Sequence, residues 1–383
     1  MPEPLSYASL GVRRVINAAA TLTALGGSVM PGEVVEAMRM AASSHVDMHE
    51  LQAAVGAELA RLTHNEAGYV STGAAAGLAL SVLACATKGD PAAISQMPRG
   101  HGLPTDVVMH CGHRIPYDRA VELAGGRIVQ IGNAIQTFGW ELEAVLGTST
   151  AMVLWVAGSH LSPGTLDLAE TVRIAHARGI PVVVDAAAQL PPVENLWAFT
   201  QAGADLALFS GGKALRGPQS TGLVLGRATL IEAIRANGAP HQRLARAMKV
   251  GKEEMLGLLA AVRRYLAIDH PAEQSAWEAT VARWSAELSR LPGVTAARAY
   301  PNEAGQPSPR LHVGVDAARA GVTGAEVVER LWQRDPRIAV AADGENGFFI
   351  TPDTLAPGED HAVLDAIRDQ FGCTGRPARR PAR

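Results

Sequence analysis

The sequence predicts an α/β fold, with roughly seven strands in a mostly parallel sheet covered by helices and a smaller α+β domain after it. Three observations lead there. Short apolar runs recur at residues 68–71, 106–110, 127–131, 152–156, 181–185, 205–209 and 222–225, mostly without polar alternation, as in strands buried on both faces. Helical patterns fill the gaps between them; residues 168–178, for example, follow Asp167 as an N-cap and stop at Gly179. The length of 383 residues exceeds what one simple core organises, so two domains are expected.

In chain order, residues 1–30 are expected to form an N-terminal arm and residues 31–252 the large α/β domain. Residues 253–268 place Leu256, Leu259, Ala260, Val262 and Leu266 on roughly one side of a helix, which reads as a bridge into a small α+β domain covering 253–372. Within it, residues 278–291, 310–315, 324–334 and 362–371 carry the remaining element patterns. The tail at 373–383 is basic and proline-rich, and disorder is expected for it. No internal repeat is present.

A net charge of −3 and an aromatic content of 4% speak against nucleic acid or an acidic membrane as partner. Cys85, Cys111 and Cys373 are too few and too scattered for a disulfide framework or a zinc site. His45 and His49 have the spacing of a metal pair, but no clear third ligand accompanies them, so no metal is expected. No apolar run approaches the roughly 20 residues of a membrane span. Met1-Pro2-Glu3-Pro4 begins no basic-then-apolar pattern, and a cytoplasmic location is expected.

Two strand ends carry the chemistry. Val182-Val183-Val184 runs into Asp185, and the strand at 205–209 gives way to Ser210-Gly211-Gly212-Lys213. An amine and a carboxylate at neighbouring strand ends are the two groups that pyridoxal phosphate needs from a protein. Lys213 would form a Schiff base with the aldehyde, and Asp185 would keep the pyridine nitrogen protonated. The glycines let a cofactor approach the backbone, Ser210 can bond a phosphate oxygen, and Ala186-Ala187-Ala188 leave room for a flat ring. Taken singly, each feature also reads as a surface lysine in a glycine turn or an aspartate capping a helix.

Upstream, Ser71-Thr72-Gly73-Ala74-Ala75-Ala76-Gly77 follows the first strand and opens a helix, whose free N–H groups can cradle phosphate. His110 and His113 follow the second strand, where a histidine can stack on a cofactor ring. Arg246, Lys249 and Lys252 precede the 253–268 helix and could meet an anion. Arg310, at the start of a small-domain strand, is a candidate for a substrate carboxylate because its planar fork suits one.

With these elements in this order the chain resembles the fold-type I (aspartate-aminotransferase-like) pyridoxal phosphate enzymes of the selenocysteine-synthase-like group, and within it the D-glucosaminate-6-phosphate ammonia-lyase family. The stretches that carry the resemblance are Val15-Ile16-Asn17, residues 21–28, 71–77, 113–120, 184–192, Gly203-Ala204-Asp205, 209–219 and 249–254. The resemblance implies Lys213 as the Schiff-base lysine, Asp185 as the pyridinium partner, Gly73, Ala74 and Ser210 near the phosphate, and His113 near the ring. It also implies a homodimer or larger homo-oligomer with the active site between subunits, Gly217-Pro218-Gln219-Ser220 meeting the neighbour's cofactor phosphate. Ala75 and Ala187 complete the expected cofactor contacts. Asn17, Thr21, His49, Ser159, Arg246, Lys249 and Arg310 are the expected substrate contacts. Ala20 departs from the family pattern, which carries glycine before the threonine, and the histidines of His45-Val46-Asp47-Met48-His49-Glu50 alter the substrate edge.

The expected function is a pyridoxal-phosphate-dependent lyase. It would take the α-proton of a small amino acid or amino-sugar acid, anionic substrates included, expel a β-group, and release ammonia. Reprotonation of the same carbanion would instead make a racemase or epimerase. Selenium transfer requires charged tRNA, for which the chain has no basic stripe. A non-catalytic protein of this fold would be expected to have lost Lys213 or Asp185.

Overall fold

The computed structural model describes residues 5–158, 161 and 163–372; Ser159 and the tail at 373–383 lie outside the described residues. Packing divides the chain into two units. The larger holds Ser28–Ile268 and Glu303–Gln306, and the smaller holds the N-terminal residues through Gly27, Asp269–Asn302 and the chain from Pro307 onward.

These boundaries differ from those expected, for reasons of burial. The helix Lys252–Leu266 is not the first element of the small domain. It buries Met255, Leu258, Val262 and Tyr265 in one cluster with Leu59, Phe209 and Leu215, so it belongs to the sheet. The N-terminal residues are not a separate arm. Strand β1 (Val15–Asn17) pairs in parallel with Arg337–Ala339, and Ile16 is buried in the same cluster as Trp284, Val313 and Phe348.

The larger unit is built on β2 (Ala67–Ser71), β3 (Asp106–His110), β4 (Arg127–Ile131), β5 (Thr150–Val156), β6 (Val182–Asp185), β7 (Leu206–Ser210) and β8 (Gly222–Gly226). These form a seven-stranded sheet in the order β2-β8-β7-β6-β5-β3-β4. All pairings from β7 to β4 are parallel, while β8 runs antiparallel to both β7 and β2. The mostly parallel seven-stranded sheet is as expected. Strands such as Val182-Val183-Val184 are β-branched and buried, which suits a sheet covered on both faces.

Alternate residues face opposite layers. Val107, Met109, Val183 and Leu208 pack with Leu78, Leu80 and Leu83 of the helix Ala74–Thr87 and with Ile231 and Ile234 of Ala228–Asn237. Val108, Val153 and Val182 pack with Leu142 and Ile174 on the other side. The helix Leu168–His176 starts as expected, Asp167 accepting from the Glu170 N–H at 2.7 Å. Gly179 supplies the φ of +67° after its end.

The smaller unit holds β9 (Val294–Ala299), β10 (Arg310–Val315), β11 (Arg337–Ala339), β12 (Ala341–Asp343) and β13 (Gly347–Ile350). Four of these make an antiparallel sheet in the order β12-β13-β10-β9, and β11 pairs with β1. The helices His270–Leu288, Gly324–Gln333 and Glu359–Gly372 complete it, so the C-terminal part is α+β, as expected.

One glycine decides how the helix Ala74–Thr87 is seated. Gly222 pairs with both Ser71 and Ser210, and a Cβ there would collide with the backbone of Gly73 at the start of Ala74–Thr87. A backbone cannot move aside as a flexible side chain can. Gly222→Ala is therefore expected to cost about 1–3 kcal/mol. The measurement is the urea unfolding midpoint with unchanged m-value, and an unaltered midpoint would show that the close approach is not required.

Candidate active site

The helix Ala74–Thr87 begins after Gly73, whose φ of +86° suits glycine and turns the chain off β2. Among the described residues no side chain caps this helix. Its first-turn N–H groups, those of Ala74, Ala75 and Ala76, are therefore open, with the positive end of the helix behind them. The Ser71 hydroxyl donates to the Gly73 carbonyl at 2.9 Å and holds the turn. Because Gly222 lies between Ser71 and Ser210 in the sheet, this helix start stands beside the end of β7.

Asp185 ends β6, opposite Val156 of β5 and Leu208 of β7. Its carboxylate accepts from the Ala187 N–H at 3.1 Å and is otherwise buried. Burial pushes its pKa above the ordinary carboxyl range, against the opposing pull of the Ala187 N–H and of Lys213. The loop is tied down on both sides, Ala186 N–H donating to the Leu208 carbonyl at 3.0 Å and Ser210 N–H to the Ala187 carbonyl at 3.4 Å.

Lys213 sits in the turn after β7. The turn is closed by Gly211 N–H to Thr221 O and by Gly217 N–H to Gly211 O, both at 2.8 Å. The Ser28 hydroxyl lies 2.9 Å from the carbonyls of both Gly212 and Lys213. The two glycines are required by packing as well as by access. A Cβ on Gly211 would strike the Thr221 side chain, and one on Gly212 would lie 2.6 Å from the Gln219 Cα. Burial lowers the Lys213 pKa, while the carboxylates of Asp185 and Glu303 raise it; burial prevails. The amine is thus biased towards the neutral, nucleophilic form.

His113 is buried, and its Nδ1 accepts from the Val156 N–H at 3.2 Å. That bond puts the ring proton on Nε2, which donates to Thr165 Oγ1 at 3.2 Å. Val156 is the sheet partner of Asp185, so one hydrogen bond sets the imidazole beside the strand end that carries the carboxylate. Burial and the neighbouring His110 push the His113 pKa down to about 3, leaving a neutral ring. His110 packs against it edge-on, with ring centroids 4.8 Å apart. His110 is fully buried, and neither of its ring nitrogens has a hydrogen-bond partner among the described residues.

Gly73, Ala74, Ala75, His113, Asp185, Ala187, Ser210, Lys213 and Gly217 thus gather at the carboxyl ends of the strands and the adjoining turns. The other expected positions are each described by their own surroundings. His49 is exposed at the start of Met48–Leu62, its ring 4.9 Å from that of His241. Arg246 and Lys249 are exposed, whereas Lys252 is engaged, its Nζ donating to the Ala41 carbonyl at 2.9 Å and pairing with Glu253. Asn17, Thr21 and Arg310 belong to the smaller unit. There the Asn17 side chain closes its own turn by bonding Ala19 N–H and Ala20 O, and the Arg310 guanidinium stacks on Phe349 at 4.0 Å. Ser159 lies outside the described residues.

Sequence reasoning missed Ser28, Thr165 and Glu303. They are ordinary polar residues far from the motifs in sequence, and only folding brings them to the site. A cavity of about 820 Å³ opens at the amino ends of the strands around Lys88, His176, Arg178 and Arg227. Its carboxylate, Asp205, is already held by the His176 ring, the Arg227 guanidinium and the Val182 N–H.

The gathered groups fit pyridoxal phosphate. The open helix start and the Ser210 hydroxyl suit a phosphate. The buried carboxylate of Asp185 lacks the cation that burial demands, and a protonated pyridine nitrogen is one. Lys213 supplies a depressed amine and His113 a neutral flat ring.

The family model described as L-seryl-tRNA selenium transferase (SelA) matches residues 15–290. The chain belongs to this SelA family. The chain is 35% identical over 375 residues to the D-glucosaminate-6-phosphate ammonia lyase of Salmonella typhimurium, covering 96% of this chain and 98% of that one. It is 36% identical over 383 residues to the 5'-C-glycyluridine monooxygenase-decarboxylase of a Streptomyces species, covering 95% and 92%. A solved structure of D-glucosaminate-6-phosphate ammonia-lyase superimposes with a TM-score of 0.85 at 33% identity, over 97% of this chain and 99% of that one. Serine palmitoyltransferase from S. paucimobilis shares the fold alone, at 13% identity, with a TM-score of 0.57 over 94% of this chain and 87% of that one. The large sheet and small α+β unit of this SelA-family chain are those of the fold-type I enzymes.

The depressed Lys213 amine carries a pH prediction. Only the neutral amine attacks an aldehyde, so capture of added pyridoxal phosphate, followed by visible absorbance, is expected to rise with pH through the folded-state pKa of Lys213. The midpoint is expected below 10.5, the ordinary lysine value; a midpoint at or above it would contradict the burial argument.

Proposed function

We propose that this chain is a pyridoxal-phosphate-dependent ammonia-lyase acting on an amino-sugar acid or a related small hydroxy amino acid. The observation that carries the reading is its end-to-end likeness to the Salmonella enzyme, 35% identical across 96% of this chain. The catalytic pair proposed from the sequence supports it, since Lys213 and Asp185 lie at adjoining strand ends.

When bound, pyridoxal phosphate supplies the electron sink that accepts the electron pair left at the substrate α-carbon. The residues of the chain do the rest. The N–H groups of Ala74, Ala75 and Ala76, with Ser210, hold the phosphate. The Asp185 carboxylate keeps the pyridine nitrogen protonated. His113, neutral and fixed by Val156 and Thr165, would lie against the ring. The Lys213 amine, kept neutral by burial, takes the α-proton. Loss of the β-hydroxyl as water and hydrolysis of the resulting enamine leave a keto acid and ammonia.

Arg246 and Lys249, exposed cations, are proposed to contact an anionic substrate group, and Arg310 its carboxylate. Asn17, Thr21, His49 and Ser159 complete the proposed substrate contacts. We also propose a homodimer in which Gly217-Pro218-Gln219-Ser220 meets the neighbour's cofactor phosphate, and a cytoplasmic location. Among the described residues no helix is long and apolar enough to cross a membrane.

The likeness to the Streptomyces enzyme, 36% identical over 95% of this chain, favours a second reading in which the α-carboxylate leaves as carbon dioxide with consumption of oxygen. The two are separated by incubating holoenzyme with D-glucosaminate 6-phosphate and related hydroxy amino acids in deuterated water. Ammonia released without oxygen uptake is the expected result. Oxygen uptake with carbon dioxide supports the second reading, and α-deuteration without ammonia indicates a racemase. Lys213→Ala is expected to abolish both the visible absorbance and ammonia release. Asp185→Asn is expected to keep the absorbance but lower kcat by about a hundredfold or more, the scale of a lost charge partner worth about 3 kcal/mol.

A further inference from the structure

The carboxylates of Asp185 and Glu303 both act on the Lys213 amine, and the function proposed above uses one of them. Asp185 serves the cofactor ring; Glu303 has no part in holding it. Glu303 opens a four-residue segment, Glu303–Gln306, that packs with the larger unit, although the chain up to Asn302 and from Pro307 packs with the smaller. Two side-chain bonds fasten this segment to the loop after β6. Gln189 donates from Nε2 to the Ala304 carbonyl at 2.8 Å, and Gln306 donates from Nε2 to the Leu190 carbonyl.

Gln189 is a firm anchor. It is buried, its N–H donates to the Ala186 carbonyl at 2.9 Å, and its own carbonyl accepts from Asn195 Nδ2 at 2.6 Å. The residue next to Ala304 is thereby set against the loop that begins at Asp185. Its carboxylate acts on the Lys213 amine, favouring the ammonium form against burial.

Elimination of a β-hydroxyl requires a second proton transfer. The base removes a proton from the α-carbon, but hydroxide is a poor leaving group and departs readily only as water. A carboxylate beside the reacting lysine closes this gap. We propose, resting on the lyase reading, that Glu303 relays the proton from Lys213 to the departing β-hydroxyl. The α-C–H bond breaks and its proton goes to the Lys213 amine. The resulting ammonium passes a proton to the Glu303 carboxylate, and Glu303 gives it to the β-oxygen as the C–O bond breaks. The C–H electron pair ends in the new carbon–carbon double bond, water leaves, and both side chains return to their starting charge. No oxidant or other reactant is needed.

The test is Glu303→Gln, nearly isosteric, with Glu303→Asp as the charge-conserving control. In deuterated water with a hydroxy amino acid that the wild type turns over, Glu303→Gln is expected to keep α-proton exchange, because Lys213 is intact, while ammonia release falls by about a hundredfold or more. Glu303→Asp is expected to restore part of the release. A second readout does not depend on turnover. Loss of the carboxylate is expected to lower the pH midpoint at which Lys213 of the folded protein captures added pyridoxal phosphate. Exchange and ammonia release falling together, or an unmoved capture midpoint in Glu303→Gln, would overturn the relay. If the wild type exchanges the α-proton yet releases no ammonia from any hydroxy amino acid, the lyase reading itself falls, and the relay with it.

Discussion

Desolvation at the carboxyl ends of β6 and β7 governs the chemistry of this protein. Water removed from around Asp185 and Lys213 disfavours charge on both, raising the carboxyl pKa and lowering that of the amine. Such a pair is poised for a ligand that brings its own complementary groups. A pyridinium nitrogen would give the carboxylate a cation, and an aldehyde would engage the neutral amine. The same burial holds His113 neutral, so that a flat ring can lie beside it without an added charge.

The sheet order makes this arrangement possible. Asp185 and Lys213 are brought together because β6 and β7 are parallel neighbours, with their carboxyl ends on one edge. The helix start proposed to hold phosphate follows β2, at the far end of the sheet order, and stands beside the end of β7 because β8 runs antiparallel between β2 and β7. Gly222 at the start of β8 then faces Ser71 and Ser210 together, and its missing side chain lets the Gly73 turn close over the strand ends. Gly211 and Gly212 play the corresponding part beneath Lys213, where Thr221 and Gln219 leave no room for a Cβ.

Relatives of nearly equal similarity carry different reaction names, an ammonia lyase at 35% and a monooxygenase-decarboxylase at 36% identity. A shared electron sink accounts for this. Once an electron pair at the α-carbon is stabilised, the outcome depends on which bond lies in line with the ring and which nearby group can supply or take a proton. The relay proposed above draws one such group from Glu303–Gln306, a segment outside the sheet motifs.

Val182–Asp185 and Ser210–Lys213 were legible in the sequence because an apolar run ending in a charge next to small residues is a local pattern. So was the helix start after Gly73, and the strands themselves agree with the expected runs to within two residues, as at Thr150–Val156. The helix Lys252–Leu266 was legible as a helix but not in its allegiance, because its apolar stripe does not say which surface it will cover. Ile16 and its short strand were misjudged as an arm for the same reason, since their partner at Arg337–Ala339 is more than three hundred residues away. Local composition and spacing determined the α/β class, the lysine and aspartate at successive strand ends and the cofactor they suit, because these depend on patterns a few residues long. Tertiary structure alone decided that Ser28 would hold the lysine turn, Thr165 the His113 tautomer and Glu303 the second carboxylate at the amine. Each of those contacts joins residues whose separation in the chain is large and whose meeting is set by packing.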